Sequence, residues 1–563
     1  MAPRDKVPAD ASAKQRPAAA KRAKQSGSIA RHLAFVFLAA ALAGIATHGG
    51  ATRLVYTVDE RRPNADCLLV KRDRIAATGT LESVQAEWDI YQTELIHKFY
   101  GGEPKAKKPL QVIRPPSGSI IVPGLADAHA HLMLYGAKMQ LNLEGAESID
   151  EVLDRVESYV TRDLATPGSE IRWVEGFGWD QTRWKNWRGG FPSKSDLASR
   201  PALAGIPIAL SRVDVHALWV SARALELAEA SLPGGRWPGS GEIEGGEVMK
   251  DEKGEPTGVL VDSAMGLIPV PPPSEAQMTK QLERAVSDAL AVGLTSVHDA
   301  AVSGQMLDVF KKMADDGRLP IRIYAMANEE SSEYWGGRFK RLEDYGRDGR
   351  LNLRSVKLFT DGGLKQTVAK FWEDGWGVNI HCIGDRANKA VLDIFESLLQ
   401  GNESAPQRRP RIEHAQIMRL LTSDMWYAES RLSAAQILHS LPRSSPNKVL
   451  PLGSDFPVEG INPLLGFYAA VSRLDVRGES PHGSGGWFPS ERLTRAQALK
   501  GMTYDAAFAS FAEEDLGSLS AGKRADYVVL DTNIMNEEGA FADILTAQVR
   551  ATVVDGQILY GGI

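Results

Sequence analysis

The chain has 563 residues, 43% hydrophobic and 24% charged, a balance that fits a large folded domain with a smaller companion and excludes disorder as the default state. The net charge of −6 is uneven: residues 1–32 hold eight Lys/Arg against two Asp/Glu, leaving −12 on the remainder, and an acidic body argues against a nucleic-acid partner. Cys67 and Cys382 are the two cysteines, too few for a disulfide framework.

Residues 1–32, rich in Ala, Lys, Arg, Pro and Ser and without apolar periodicity, read as a disordered basic tail. Leu33–Ala46 is continuously apolar and no charge follows until Arg53, so residues 33–52 make an uncharged stretch about as long as a bilayer-spanning helix. The expectation is an uncleaved signal anchor, a single-pass transmembrane helix. Its positive flank would keep the tail cytosolic and place the body on the luminal or extracellular side. A cleaved signal peptide of a secreted protein, processed near Gly44 and Ala46, and a buried helix are the alternatives.

Cys67–Val70 and Arg74–Ala77 predict two strands about a charged turn, Gln85–Phe99 a helix, Pro104–Lys108 a loop and Ile120–Val122 another strand. Near the other end Ala525–Leu530 and Thr552–Leu559 are strands, the second with an Asp-Gly hairpin signal. Strand-rich ends around an alternating middle predict a small β-domain from residues 53–122 and 515–563, flanking an inserted barrel over 123–514 with an insert around 160–262.

The barrel opens on Ile121–His131, where Pro123 and Gly124 break the chain and a strand begins near Leu125. Residues i and i+2 of a strand share a face, so His129 and His131 can converge on one ion, although a bare HxH also fits two surface histidines. Within the insert, Trp173, Trp179, Trp184 and Trp187 fall within fifteen residues, and either line a pocket or build a Trp-rich core. Ser274–Ala291 carries Met278, Leu282, Ala285, Val286, Ala289 and Leu290 on one helical face, and Gly293 ends it.

From here short strands end in polar residues. Leu294–Asp299 finishes in His298 and Asp299. Arg354–Phe359 carries Lys357 and runs into Asp361-Gly362-Gly363; helix Lys365–Glu373 leads to Val378–Ile383, which carries His381; Pro410–His414 ends in Glu413 and His414; and Lys448–Leu452 runs into Asp455. One buried histidine is usually a hydrogen-bonded core residue, but five strand ends offering HxH, Lys, His, His and Asp are hard to obtain by packing alone. Neutral imidazoles bind a zinc-like ion, and an aspartate can bind it while taking a proton from water. An ammonium has no lone pair, so Lys357 fits only as a neutral amine that has reacted with CO2 to give an oxygen-donor carbamate. No GxSxG elbow and no phosphate-cradling glycine loop is present, which counts against a serine hydrolase or nucleotide enzyme.

PGLADAHAH, VKLFTDGG, HCIGDRAN, RIEHAQ, LGSDFPVE and GSLSAGKRADYVVLD resemble the amidohydrolase superfamily, specifically its amidohydrolase-3 (YtcJ-like) branch in a fungal-type version, over about residues 60–563. The resemblance implies an α/β fold, a (β/α)8 TIM-like barrel with a small β-sandwich built from both chain ends. It also implies metal-dependent hydrolysis of non-peptide C–N bonds in small-molecule amides. His129 and His131 then stand as first-strand ligands, Lys357 as the carboxylated bridging lysine, His381 and His414 as fifth- and sixth-strand ligands, and Asp455 as the catalytic eighth-strand aspartate. The cofactor is one or two divalent metal ions, zinc first. His216, His298 and Trp179 are weaker substrate-binding candidates.

The match departs from the family pattern in two regions: the spacing from Gly363 to Trp376 is tight, without the substrate-contacting stretch usual in the family, and the stretch after His414 is short. Only 41 residues separate His414 from Asp455, the seventh strand is not legible, and Thr422–Arg431 stands too close to Gln416. Either the chain is a shortened relative with an incomplete barrel or coding segments have been lost. A catalytically impaired remnant that only binds, or an ester or lactone hydrolase on the same site, are the rival functions.

Overall fold

The computed structural model describes residues 34–38, 54–100, 109–163, 173–187, 189–239, 241–329, 331, 334–359, 363–399, 408–415, 449–481, 483 and 485–563. Six parallel strands, in the spatial order Leu125–Ala130, Leu294–Val302, Arg322–Ala327, Leu351–Leu358, Gly377–Cys382 and Arg411–His414, form the central sheet together with a seventh, Leu342–Tyr345, antiparallel beside Leu351–Leu358. The order of the six in space is their order in the chain, as right-handed βα crossovers produce. Helices Leu132–Gln140 and Glu275–Ala291 lie in the first crossover, and Gly304–Asp315, Leu364–Glu373 and Asp385–Leu399 supply the second, fourth and fifth, while the third carries the short turn Gly336–Arg338 and the strand Leu342–Tyr345. The free edge of the first strand receives the segment Val449–Phe456: Ala128 N donates to Leu452 O at 3.1 Å, Asp455 N to His129 O at 2.6 Å and His131 N to Phe456 O at 2.9 Å. This is a nearly closed parallel barrel.

Local chemistry explains the elements. Ser274 caps Glu275–Ala291 in a capping box with Gln277, the predicted apolar face is buried, and Gly293 takes φ +89° after it. The strand expected over Lys448–Leu452 is not formed among its described residues. Val449–Pro451 are irregular and Leu452 makes a single bridge, because Pro451 has no N–H to donate. The third strand, Arg322–Ala327, was not anticipated.

Two further sheets come from the chain ends. One has the order Arg74–Gly79, Cys67–Lys71, Ala34–Leu38, Gln111–Ile113, and the other Gln557–Gly561, Val549–Val554, Tyr527–Leu530, Ile120–Pro123, Val55–Tyr56, Asn64–Ala65. Alternation sets the layers: Leu68 and Val70 pack with Ile121, Val529 and Val553 between the sheets, whereas Ile120, Val122, Val528 and Leu530 face the barrel core. The predicted hairpin turns at Asp555-Gly556, both at positive φ. The insert forms its own five-stranded sheet, ordered Gly246–Lys250, Pro256–Asp262, Ala217–Val220, Ile208–Arg212, Val174–Trp179, around a core that holds Trp179, Trp184 and Trp219.

The expected transmembrane helix needs correction. Of residues 33–52, the five described, Ala34–Leu38, form a strand paired antiparallel with Cys67–Lys71 and parallel with Gln111–Ile113. No helix among the described residues is long and apolar enough to cross a membrane. A continuous apolar run such as AFVFL has no period that separates strand from helix, and its β-branched and aromatic residues favour the strand. The basic tail, the remainder of the proposed anchor, the Pro104–Lys108 loop, Asp361-Gly362, and the region 416–448 in which the seventh strand was not legible lie outside the described residues.

Candidate metal centre

His129 is the fifth residue of the first barrel strand and His131 stands one residue past its end, as the N-cap of helix Leu132–Gln140. Both rings therefore reach the C-terminal end of the sheet, where TIM-barrel enzymes place their chemistry. Lys357, His381 and His414 come from the ends of three further strands. His414 would point away from its barrel-facing neighbour Glu413 if the strand stayed extended. Its φ of +70°, followed by +44° at Ala415, turns the ring back, and Asp455 at φ +58° makes a similar turn.

The six side chains form one cluster. The His131 Nε2 lies 3.0 Å from Asp455 Oδ1, His129 Nε2 3.7 Å from the same oxygen, and His414 Nδ1 3.9 Å from Asp455 Oδ2. Lys357 Nζ is 3.5 Å from His129 Nε2, and the His381 and His414 ring centroids are 4.4 Å apart. Ligand atoms of His129, His414 and Asp455, all buried, lie within 4.8 Å of one another. Donors on a tetrahedral ion with bonds of about 2.0–2.1 Å sit about 3.4 Å apart, so the spacings suit a divalent metal, and so do two neutral imidazoles with a carboxylate.

Burial keeps these imidazoles neutral. It lowers His129 to about 4, assisted by the Lys357 charge, and His414 to about 2, assisted by His129 and Lys357. Burial raises Asp299 to about 6 and also raises Asp127. Asp127 fixes the approach of the Asp455 segment by accepting from Ser454 Oγ at 2.6 Å, Ser454 N at 3.1 Å and His129 N at 3.0 Å. Asp299 Oδ2 accepts from Leu132 N at 3.2 Å and so anchors the start of the helix after His131.

Beneath the cluster Glu413 is fully buried. It meets His129 Nδ1 at 2.6 Å through Oε2 and Arg411 Nε at 3.1 Å through Oε1. Although burial opposes it, the Arg411 charge and the hydrogen bond from His129 hold the Glu413 carboxyl well below the usual range. Sequence reasoning assigned no role to Asp127, Arg411 or Glu413. The available signal was the Arg-x-Glu spacing of RIEH, two charges on the same face of an otherwise apolar barrel strand.

The weaker candidates lie elsewhere. His298 is 1% exposed and accepts through Nδ1 from Arg411 at 3.2 Å, in the barrel interior. Trp179 is fully buried in the insert core and donates to Leu210 O at 2.7 Å. The His216 side chain, 71% exposed, lies 2.6 Å from Asp262, whose hydrogen bond raises its pKa.

Comparison with known proteins settles the family. A model described as "Amidohydrolase family" matches residues 117–560, most of the chain. The chain belongs to the amidohydrolase family. This amidohydrolase is 29% identical to Protein LONG AFTER FAR-RED 3 of Arabidopsis thaliana, over 90% of each chain. It is 26% identical to the N-substituted formamide deformylase of Arthrobacter pascens, over 90% of this chain and 97% of that one. Its fold matches the crystal structure of an uncharacterized metal-dependent hydrolase from Pyrococcus furiosus with a TM-score of 0.62 at 21% identity, covering 89% of this amidohydrolase and all of the other chain. It is accordingly a hydrolase acting on C–N bonds.

Proposed function

We propose that this amidohydrolase hydrolyses a small-molecule amide, of the N-formyl or N-acyl amine type, at a metal centre formed by His129, His131, Lys357, His381, His414 and Asp455. The observation that carries the reading is the convergence of ligand atoms from His129, His414 and Asp455 within 4.8 Å at the strand ends. The substrate class is supported by the 26% identity to a relative named for N-substituted formamides. When bound there, a divalent ion, zinc first among the candidates, supplies Lewis-acid polarisation of the amide carbonyl and lowers the pKa of water from roughly 15.7 toward about 7.

In this reading Asp455 moves the proton. Its carboxylate faces His129, His131 and His414, and its backbone is tied to the first strand through His129 O, so it can accept a proton from the attacking water and deliver it to the leaving nitrogen. Lys357 is 2% exposed, and its amine serves the site as a carbamate. The ammonium first loses one proton to give the neutral amine, Nζ then bonds to the carbon of CO2 with loss of a second proton, and an oxygen donor replaces a group that had no lone pair.

Turnover of a panel of N-formyl and N-acyl amines by the purified protein tests the reading, with Asp455→Asn as the decisive variant. A fall in kcat of about 10²–10⁴-fold is expected. Full activity in the variant would remove Asp455 from the chemistry, and bound metal without turnover in the parent would favour a binding remnant.

A further inference from the structure

The Arg411–Glu413 pair is an expensive way to fill a barrel. Burying an ion is costly, and apolar replacements of buried pairs are often neutral or stabilising. Glu413 is 0% exposed and Arg411 2%, so the pair calls for a reason beyond packing.

Its geometry supplies one. Glu413 Oε2 lies 2.6 Å from Nδ1 of His129. The other ring nitrogen, Nε2, faces the cluster, 3.5 Å from Lys357 Nζ and 3.7 Å from Asp455 Oδ1. A carboxylate can only accept, so Nδ1 carries the proton and the Nε2 lone pair is turned toward Asp455 and Lys357. Arg411 holds the carboxylate through Nε at 3.1 Å and Nη2 at 3.4 Å, and Nη2 also donates to the carbonyl of Ala128, adjacent to His129, at 2.7 Å. Nη1 reaches Nδ1 of His298 at 3.2 Å. One guanidinium therefore ties the first, second and sixth strands around a single imidazole.

We propose that Glu413, held in place by Arg411, is the positioning residue that fixes His129 as an Nε2 donor and thereby sets the affinity of the centre for its ion. The proposal rests on the metal-centre reading above and extends it to residues that touch neither ion nor substrate. Outer hydrogen-bond partners of metal-bound histidines typically change affinity 10–100-fold when removed.

The test measures zinc and cobalt(II) affinity of the full chain by chelator competition, in the parent, Glu413→Gln and Arg411→Lys, with the visible absorption of the cobalt form as a second readout. Glu413→Gln is expected to weaken both metals 10–100-fold and to alter the cobalt spectrum, with a smaller loss in Arg411→Lys. Affinity within twofold of the parent in a folded Glu413→Gln protein would overturn the proposal while leaving the metal centre standing. A parent that binds neither metal would overturn both. If Glu413→Gln fails to fold, Arg411→Lys decides alone: unchanged affinity and spectrum contradict the proposal.

Discussion

Two of the clustered side chains, His414 and Asp455, hang from left-handed backbone, at φ +70° and +58°. Each such conformation costs a non-glycine residue roughly 1–2 kcal/mol, and strain of this kind persists only where neighbours hold it. At Asp455 the holders are visible in its own N–H bond to His129 O and in the clamp of Asp127 on Ser454. A consequence follows for pH. His129, His414 and His298 have folded pKa values depressed below 6.5, first by burial. Below pH 6.5 the unfolded chain gains protons that the folded chain refuses, so their contribution, complete above that value, is lost as pH falls toward 4. Asp299, raised to about 6, and Asp127, also raised, oppose this, because the folded state takes up their protons first. Within this cluster the three depressed histidines outweigh the two raised aspartates, so its contribution to stability falls as pH falls below 6.5. Urea unfolding of chelator-treated protein should therefore show lower stability at pH 5 than at pH 7; equal or greater stability at pH 5 would mean that these imidazoles are not buried neutral.

At the scale of elements, helix Leu132–Gln140 connects the cluster to the outer wall. It begins on His131, and Gly136 in its middle lies against the backbone of helix Glu275–Ala291. A Cβ at this position would overlap the carbonyl group of Gln281. Gly136→Ala is therefore predicted to force the helices apart and to cost about 1–3 kcal/mol in spite of alanine's better helix propensity. An unchanged urea midpoint would refute this close approach. The same elements show what could be read in advance. The two-residue period of a strand placed His129 and His131 together, and Lys357 and His381 stood out as polar residues closing apolar strands. The side on which His414 lies was not readable, because alternation cannot foresee a left-handed turn, and this concealed the inward pairing of Arg411 and Glu413. Arg322–Ala327 is not legible as a site strand because it ends without a ligand-type residue, and AFVFL is ambiguous because an apolar run has no period to separate strand from helix.

At the scale of the whole molecule, barrel and terminal sheets are joined by buried ions. Arg322, at the start of the third barrel strand, donates to Asp526 at 2.8 Å and Asp555 at 2.6 Å, and Arg350 reaches Asp555 at 2.7 Å. Removing one partner strands the other charges in a low-dielectric interior, so Arg322→Met is predicted to lose about 3–5 kcal/mol in chemical denaturation. The exposed pair Arg477–Asp475 serves as a control, and its loss should cost less than about 1 kcal/mol. Equal effects at the two places would contradict the junction's role. The terminal strands thus fix the base of the barrel, leaving the opposite end for the six clustered side chains. The most direct test of that cluster is the metal content of the purified protein, measured by elemental analysis beside the triple variant His129→Ala/His414→Ala/Asp455→Ala. One or two divalent ions per parent chain and none in the folded variant are predicted; a metal-free parent with intact ligands, or full metal retention in the variant, would contradict the account.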